Sequence, residues 1–450
     1  MRISRRSFVV GSSGVAVLAA TGSMARVIGS ASPALARGHE PRFAGYGPLQ
    51  DDPAGLLSLP RGFHYRVFSR QGDPLTRGGV VPASHDGMAA FSASVLGTWL
   101  VRNHELSAED IEEDGLVPVE PVPGVTYDPE AVGGTTTLLV GHDRRLVRHG
   151  ISLAGTSTNC AGGATPWGTW LTCEETDETV AKAHGYVFEV DPLRGGNPVP
   201  IKAMGRFEHE AVAFGRNGHA YLTEDASGPF GCFYRFRPTR PLRGRGSLHA
   251  GGSLAAMAVQ GVDTDLSIVQ EPGTVLGVRW VPVANADPGD EDTKVREQVV
   301  AAGATPIMKA EGVWTGLDGT IWFVSSRGDG PDAEDEEDRS AGLHAGQIWR
   351  YDPHAETMEL VVLLPHGSPY DGPDNITAGP HGFALACSDG EDDQWLTAID
   401  ERGRVHEFAK NLLNDSEFAG ATFSPDGQTL FANIQDPGLT LAIWGPWRRR

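Results

Sequence analysis

Cys160, Glu210, Glu311 and Asp374 each stand eight residues before a glycine, at Gly168, Gly218, Gly319 and Gly382. One thiol and three carboxylates in one recurring slot are the donor types of a metal centre. Six residues after the same glycines come Glu174, Glu224, Ser325 and Ser388. A looser copy runs from His85 and Asp86 through Gly97 to Asn103, His104 and Glu105, and a last copy around Gly427 has Ala419 and Asn433 in the two slots. Carboxylates that crowd one place raise each other's pKa and resist ionisation unless a cation compensates them. Hard oxygen donors select calcium or magnesium. A thiolate is misplaced on calcium and points to a softer or trivalent transition metal, iron foremost. Zinc fits poorly, because no Cys/His cluster of the usual spacing is present. A disulfide is the competing use of Cys160 in an exported protein.

The elements that must position these groups are hairpins. Asn217-Gly218, Asp318-Gly319 and Asp426-Gly427 are tight-turn dipeptides, each between apolar runs. The strand ends far from such a turn lie side by side, so each copy delivers two groups to one place. If the copies are arranged radially, the places meet. Asp86, Asn103, Glu105, Cys160, Glu174, Glu175, Glu210, Glu224, Asp225, Glu311, Asp374, Asn375 and Asn433 then converge. Lys309, two residues before Glu311, and Arg327, just past Ser325, are candidates to grip the oxygens of an anion. Cys173 and Cys387 are expected on the opposite strand face, as small core residues, and His209 is expected to point away from Glu210.

Outer strands follow the hairpins. Gly185–Pro192 and Gly346–Pro353 are two versions of one phrase ending in Asp-Pro, and Cys232–Pro238 is a third. The turn glycines are spaced by 71, 50, 101, 63 and 45 residues, and the short gaps fit a four-stranded blade. The long ones imply insertions, at 241–305 above all and at 107–128. The expectation is all-β: a six-bladed β-propeller with loop insertions, residues 37–61 wrapping its outside. A β-sandwich with additions leaves the repeated phrase unexplained.

Of the 450 residues, the first 36 look like a twin-arginine signal: Ser4-Arg5-Arg6-Ser7-Phe8, a weakly apolar stretch, then Ala34-Leu35-Ala36 as cleavage site. The expected partner there is the twin-arginine export machinery, the expected location periplasmic or extracellular, and the expected state a monomer. No other run of about 18 apolar residues occurs, so no span is expected in the mature chain. The net charge of −21 disfavours nucleic acid and repels an anionic substrate unless bound cations reverse the local field. The acidic run Asp329–Asp338 reads as a solvated loop, with a calcium role as its alternative.

The phrases N-C-A-G-G-A-T-P-W-G-T-W-L-T-C-E-E, F-E-H-E-A-V, Y-L-T-E-D, G-P-D-N-I-T and F-S-P-D-G-Q-T-L-F-A-N-I-Q, in this order, resemble the PhoX alkaline phosphatase family. The resemblance implies a six-bladed propeller with calcium and ferric ions at its centre, hydrolysing phosphate monoesters. It implies Cys160 as the iron ligand, Glu210 and Glu311 as cluster carboxylates, and Asn103, Glu105, Glu174, Glu224 and Asp374 as calcium ligands or their supports. One departure stands out. The family's Arg-Pro-Glu phrase is here Lys309-Ala310-Glu311, which keeps the positive charge but loses the planar fork. A calcium-dependent lactonase or phosphotriesterase, and a non-catalytic binding propeller with structural metals, are the rival expectations.

Overall fold

A computed structural model describes residues 45–226, 230–328, 343–380 and 382–447. These belong to one compact unit, Pro41–Arg450. A second unit, Met1–Glu40, lies outside the described residues, and with it the expected signal and its cleavage site. The acidic run Asp329–Asp338 and His381 also lie outside them.

Strands dominate, as the turn chemistry and the short Val-, Thr- and aromatic-rich runs require. At the tight turns the left-handed position falls to glycine: Gly218 has φ 78° and Gly319 φ 94°. Beside them, the Asn217 and Asp318 side chains accept the backbone N–H groups of His219 and Thr320, both at 3.0 Å.

The strands form five hydrogen-bonded sheets. Three begin at His85–Ser92, Asn159–Ala164 and Phe418–Phe423 and hold four strands each. A fourth begins at Pro373–Ala378 and gains Leu57–Pro60 and Leu49–Gln50 at its outer edge, so part of the expected N-terminal wrap is strand. The fifth has nine strands, with His209–Phe214 at one end and Ala310–Thr315 at the other. Six separate blades were expected, and the difference has a local cause. Val275–Pro282, a strand inside the 241–305 segment, pairs with Gly252–Val259 on one side and Thr357–Leu364 on the other, zipping two meanders edge to edge. The result is an all-β, propeller-like fold.

The six first strands, starting at His85, Asn159, His209, Ala310, Pro373 and Phe418, each pack against the next, and the last packs against the first. This ring surrounds the centre. Outside it, apolar faces of adjacent sheets interdigitate, as where Leu171, Val187, Val212, Leu222 and Tyr234 meet. His64–Arg70 pairs with Leu439–Trp444 and completes the last sheet with an early strand. No helix among the described residues is long and apolar enough to cross a membrane.

Candidate metal centre

Every first strand carries a β-bulge at the same end. Asn159 pairs with Glu174, but the next pair is Gly162 with Thr172, so Cys160 and Ala161 together face Cys173. The same slip follows His85–His104, His209–Glu224, Ala310–Ser325 and Pro373–Ser388. It therefore falls on Asp86, Glu210, Glu311 and Asp374. In the sixth copy the slip follows Ala419–Asn433 and takes in Gly420 and Ala421. A bulge re-aims side chains and ends regular pairing. Here it turns the slot residues out of the sheets toward the common centre.

Small residues let the bulges approach. A Cβ on Gly87 would stand 2.5 Å from Ala161 Cα, and one on Gly312 would stand 2.8 Å from Asn375 Cα. Three asparagines then stitch neighbouring strands. Asn103 donates to the carbonyls of Cys160 and Ala161, Asn433 donates to Asp86 O, and Asn375 accepts from Gly420 N. Asn103 is thus committed to backbone and, as acceptor, to Trp170 and Thr172. It is a brace behind the centre, not one of the donors in it.

Three groups of potential ligand atoms lie within 4.8 Å of one another: Asp86, Glu105 and Cys160; Cys160, Glu175 and Glu210; and Glu210, Glu311 and Asp374. They share members and form one continuous cluster. Cys160 Sγ lies 2.7 Å from Glu210 Oε2. Burial, reinforced by neighbouring carboxylates, pushes Asp86, Glu175, Glu210 and Glu311 well above the usual carboxylate range, and burial likewise pushes up the Cys160 thiol. Asp86 Oδ1, Glu210 Oε1 and Asp225 Oδ1 are buried with no hydrogen-bond partner. Buried carboxylate oxygens are rarely left so, and this donor set of carboxylates with one thiol suits bound cations.

Lys309 lies at the edge of this cluster, half-buried, with the left-handed φ of 45°. Its ammonium contacts Asp225 and lies 3.4 Å from Glu311 Oε1, and Ser326 donates to that same oxygen at 2.7 Å. Burial opposes its charge, but Glu311, Asp225 and Glu175 together raise its pKa. Arg327 is exposed, and its charge acts on Asp389.

Two expected ligands are turned away. Glu174 accepts from His184 Nδ1 at 2.6 Å and from the backbone N–H groups of Ser157, Gly185 and Tyr186. Glu224 accepts from Arg296 at 3.0 Å and from Tyr234 OH at 2.5 Å, and burial pushes it up to about 7 despite Arg296. The reason is register. Both still pair across the hairpin, opposite Asn159 and His209, and alternation sends the next residue to the centre instead. The offset that reaches the centre is seven after the turn glycine: Glu175 is in the cluster, Asp225 contacts Lys309 and Ser326 bonds Glu311, while Asp389 holds the same offset in the fifth copy. Asp389 was missed, although that count marks it. Glu417 was missed too. It precedes the sixth bulge, where the slot itself holds Ala419, and burial together with Asp374, Asp389 and Asp86 raises its pKa. The carboxylate of the sixth copy thus stands two residues before the slot, bonded to Asp374. All four cysteines are free and buried, so Cys160 takes part in no disulfide. His209 faces away, bonding Gly205 O and stacking on Phe207.

Residues 44–438 match the family described as alkaline phosphatase PhoX. Pseudomonas fluorescens PhoX, solved in complex with vanadate, a transition state analogue, aligns with a TM-score of 0.67 at 19% identity, covering 87% of this chain and 96% of that one. This likeness concerns the fold. Two further structures align at lower scores. A gluconolactonase from Xanthomonas campestris has TM-score 0.37 at 13% identity, covering 82% and 98% of the two chains. The PQQ domain of pyranose dehydrogenase from Coprinopsis cinerea has 0.41 at 11%, covering 88% and 98%. No curated protein sequence matches the chain.

Proposed function

Since the chain belongs to the PhoX alkaline phosphatase family and is a phosphomonoesterase, we propose that the cluster of bulge residues is its catalytic metal centre, holding calcium and a ferric ion. The observation that carries this is one thiol among carboxylates, three of whose buried oxygens lack partners. Cys160 would be an iron ligand, with Glu210 beside it. Asp86, Glu105, Glu175, Glu311 and Asp374 would complete the set, and Asp225, Asp389 and Glu417 would surround it. Glu174, Glu224 and Asn103 would support neighbours without ligating. Bound there, the cations supply charge stabilisation for the phosphoryl oxygens.

The chain's own groups do the rest. Lys309 holds one positive charge at the cluster edge, and Asp225 and Glu311 fix where its ammonium sits. It would neutralise one phosphate oxygen as a point charge. Arg327, which is exposed, would attract the dianion on approach. The ring of six first strands supports a six-bladed reading, with two blades fused along their outer edges, in a single domain over 37–450. The Ser4–Phe8 motif supports export by the twin-arginine route to the periplasm or beyond, and we read the protein as a monomer.

The test is elemental analysis of protein purified without added metal, beside hydrolysis of an aryl phosphate, a lactone and a phosphotriester. Iron with calcium and turnover of the aryl phosphate alone are expected. Turnover of the lactone alone would overturn the phosphatase reading, and protein carrying neither ion would overturn the metal assignment.

A further inference from the structure

Arg102 is fully buried, and the one carboxylate whose charge acts on it, Asp73, forms no ion pair with it among the described residues. Its guanidinium sits where the first and last sheets meet. Nη1 lies 2.6 Å from Thr440 Oγ1 and 3.1 Å from both Ser69 Oγ and His85 Nδ1, three acceptors that share its two protons, and Nη2 donates to Thr136 Oγ1 at 3.0 Å. Ser69 and Thr440 are register partners in the pairing that completes the last sheet. A buried guanidinium is costly, and with its Nε lacking a partner the bonds made by the two Nη groups are what hold it in the seam.

Two paths lead from it to Asp86. Along the first, Thr440 Oγ1, already accepting from Arg102, donates to Asn433 Oδ1 at 2.7 Å, and Asn433 Nδ2 donates to Asp86 O at 2.5 Å. Along the second, Arg102 has only protons to give, so His85 Nδ1 accepts and Nε2–H donates to Pro82 O at 3.1 Å. That fixes the tautomer and ring of the residue next to Asp86. Both paths converge on one bulge, whose carboxylate has a buried oxygen without a partner.

We infer that Arg102, acting through Thr440 and Asn433, is a positioning residue for Asp86, tying the closure of the ring to the strength of metal binding. The inference rests on the metal reading above, in which Asp86 is a ligand. It predicts that a side chain on the outermost pairing of the last sheet controls affinity at the centre without touching it.

The decisive variant is Thr440→Val in the full-length protein. It removes one hydroxyl, keeps the shape and keeps the arginine. Calcium is titrated calorimetrically into chelator-stripped protein, iron is measured in protein as purified, and thermal unfolding of the stripped protein is followed in parallel. Affinity for at least one ion should fall by about tenfold or more, as for groups that orient a ligand from behind. Thr440→Ser, which restores the hydroxyl, should recover wild-type affinity. Arg102→Met should reproduce the loss, and if that variant does not fold, the Thr440 pair still decides. Wild-type affinity in Thr440→Val, or an equal loss in Thr440→Ser, overturns the inference and leaves the metal reading standing. A wild type that binds neither ion removes that reading, and this inference with it.

Discussion

Asn103 Nδ2 donates to two consecutive carbonyls of the neighbouring sheet, Cys160 O at 2.9 Å and Ala161 O at 2.7 Å, while its Oδ1 accepts from Trp170 and Thr172. Its full hydrogen-bonding capacity is spent on the bulge that presents the thiol. Replacing it with alanine orphans both carbonyls and two donors in a place closed to water. Asn103→Ala should lose about 4 kcal/mol or more of stability, since each of the four abandoned buried groups costs about 1–3 kcal/mol. Denaturant unfolding measures this, and a loss under about 0.5 kcal/mol would show that the bulge holds itself.

Cys160 and Cys173 face each other across the hairpin, and only Cys160 belongs to the cluster. Cys160→Ser should remove iron and any visible absorption while the fold persists. Cys173→Ser should leave metal content unchanged. Iron retained at wild-type level in Cys160→Ser would end its assignment as a ligand.

Glu311→Gln and Glu224→Gln should fail in different ways. The first removes a candidate ligand, so metal occupancy and turnover should fall together in a folded protein. The second breaks a buried ion pair and leaves Arg296 with Glu208 alone, which should cost stability, by less than the roughly 3–5 kcal/mol of a buried charge left with no partner. Elemental analysis beside a melting curve separates the two. Equal metal loss without destabilisation in Glu224→Gln would return that residue to the ligand set.

Lys309→Ala should lower kcat/KM for an aryl phosphate by more than about tenfold, or about 1.4 kcal/mol. Lys309→Arg should match or exceed wild type, because a fork fits phosphate oxygens better than a point charge. Steady-state kinetics of the three forms decides. An alanine variant equal to wild type would show that the lysine only neutralises Asp225 and Glu311.

Stripped of metal, the protein should respond to pH in an unusual direction. Burial raises Asp86, Glu175, Glu210, Glu311 and Glu417 above ordinary carboxylates. Between their unfolded and folded pKa values the folded state then binds more protons than the unfolded one. Stability is full below about pH 4, the unfolded value, and falls as pH rises. The melting temperature of chelated protein should therefore drop from about pH 5 to about pH 8. Metal-loaded protein should gain over the same range, because bound cations need ionised ligands. A chelated protein that grows more stable with pH would contradict the raised values.

The slot eight before each turn glycine is legible without coordinates because a hairpin converts sequence distance into position. Cys160, Glu210, Glu311 and Asp374 are gathered as that spacing implies. Which neighbour faces inward on the return strand is not legible in the same way. It depends on a bulge, and a bulge shifts one strand without leaving a residue type behind. Glu174 and Glu175 are chemically identical, and only register separates the brace from the candidate ligand. Glu417 is hidden for a related reason, since the sixth copy places its bulge and its carboxylate differently. The joining of two meanders into one nine-stranded sheet escapes the repeat pattern because Val275–Pro282 lies in a segment that has no counterpart in the other copies.

His64–Arg70 finds its partner only in Leu439–Trp444, hundreds of residues further along the chain. During synthesis the first of these strands emerges early and must wait with an open edge. The cluster draws on five of the six bulges, from Asp86 on the first to Asp374 on the fifth, and the sixth first strand closes the ring around them. The ring around the cluster closes only when the sixth first strand, Phe418–Phe423, packs against the first. A chain interrupted shortly before its last strand would carry every candidate ligand and all six first strands, yet leave the early strand His64–Arg70 without its partner.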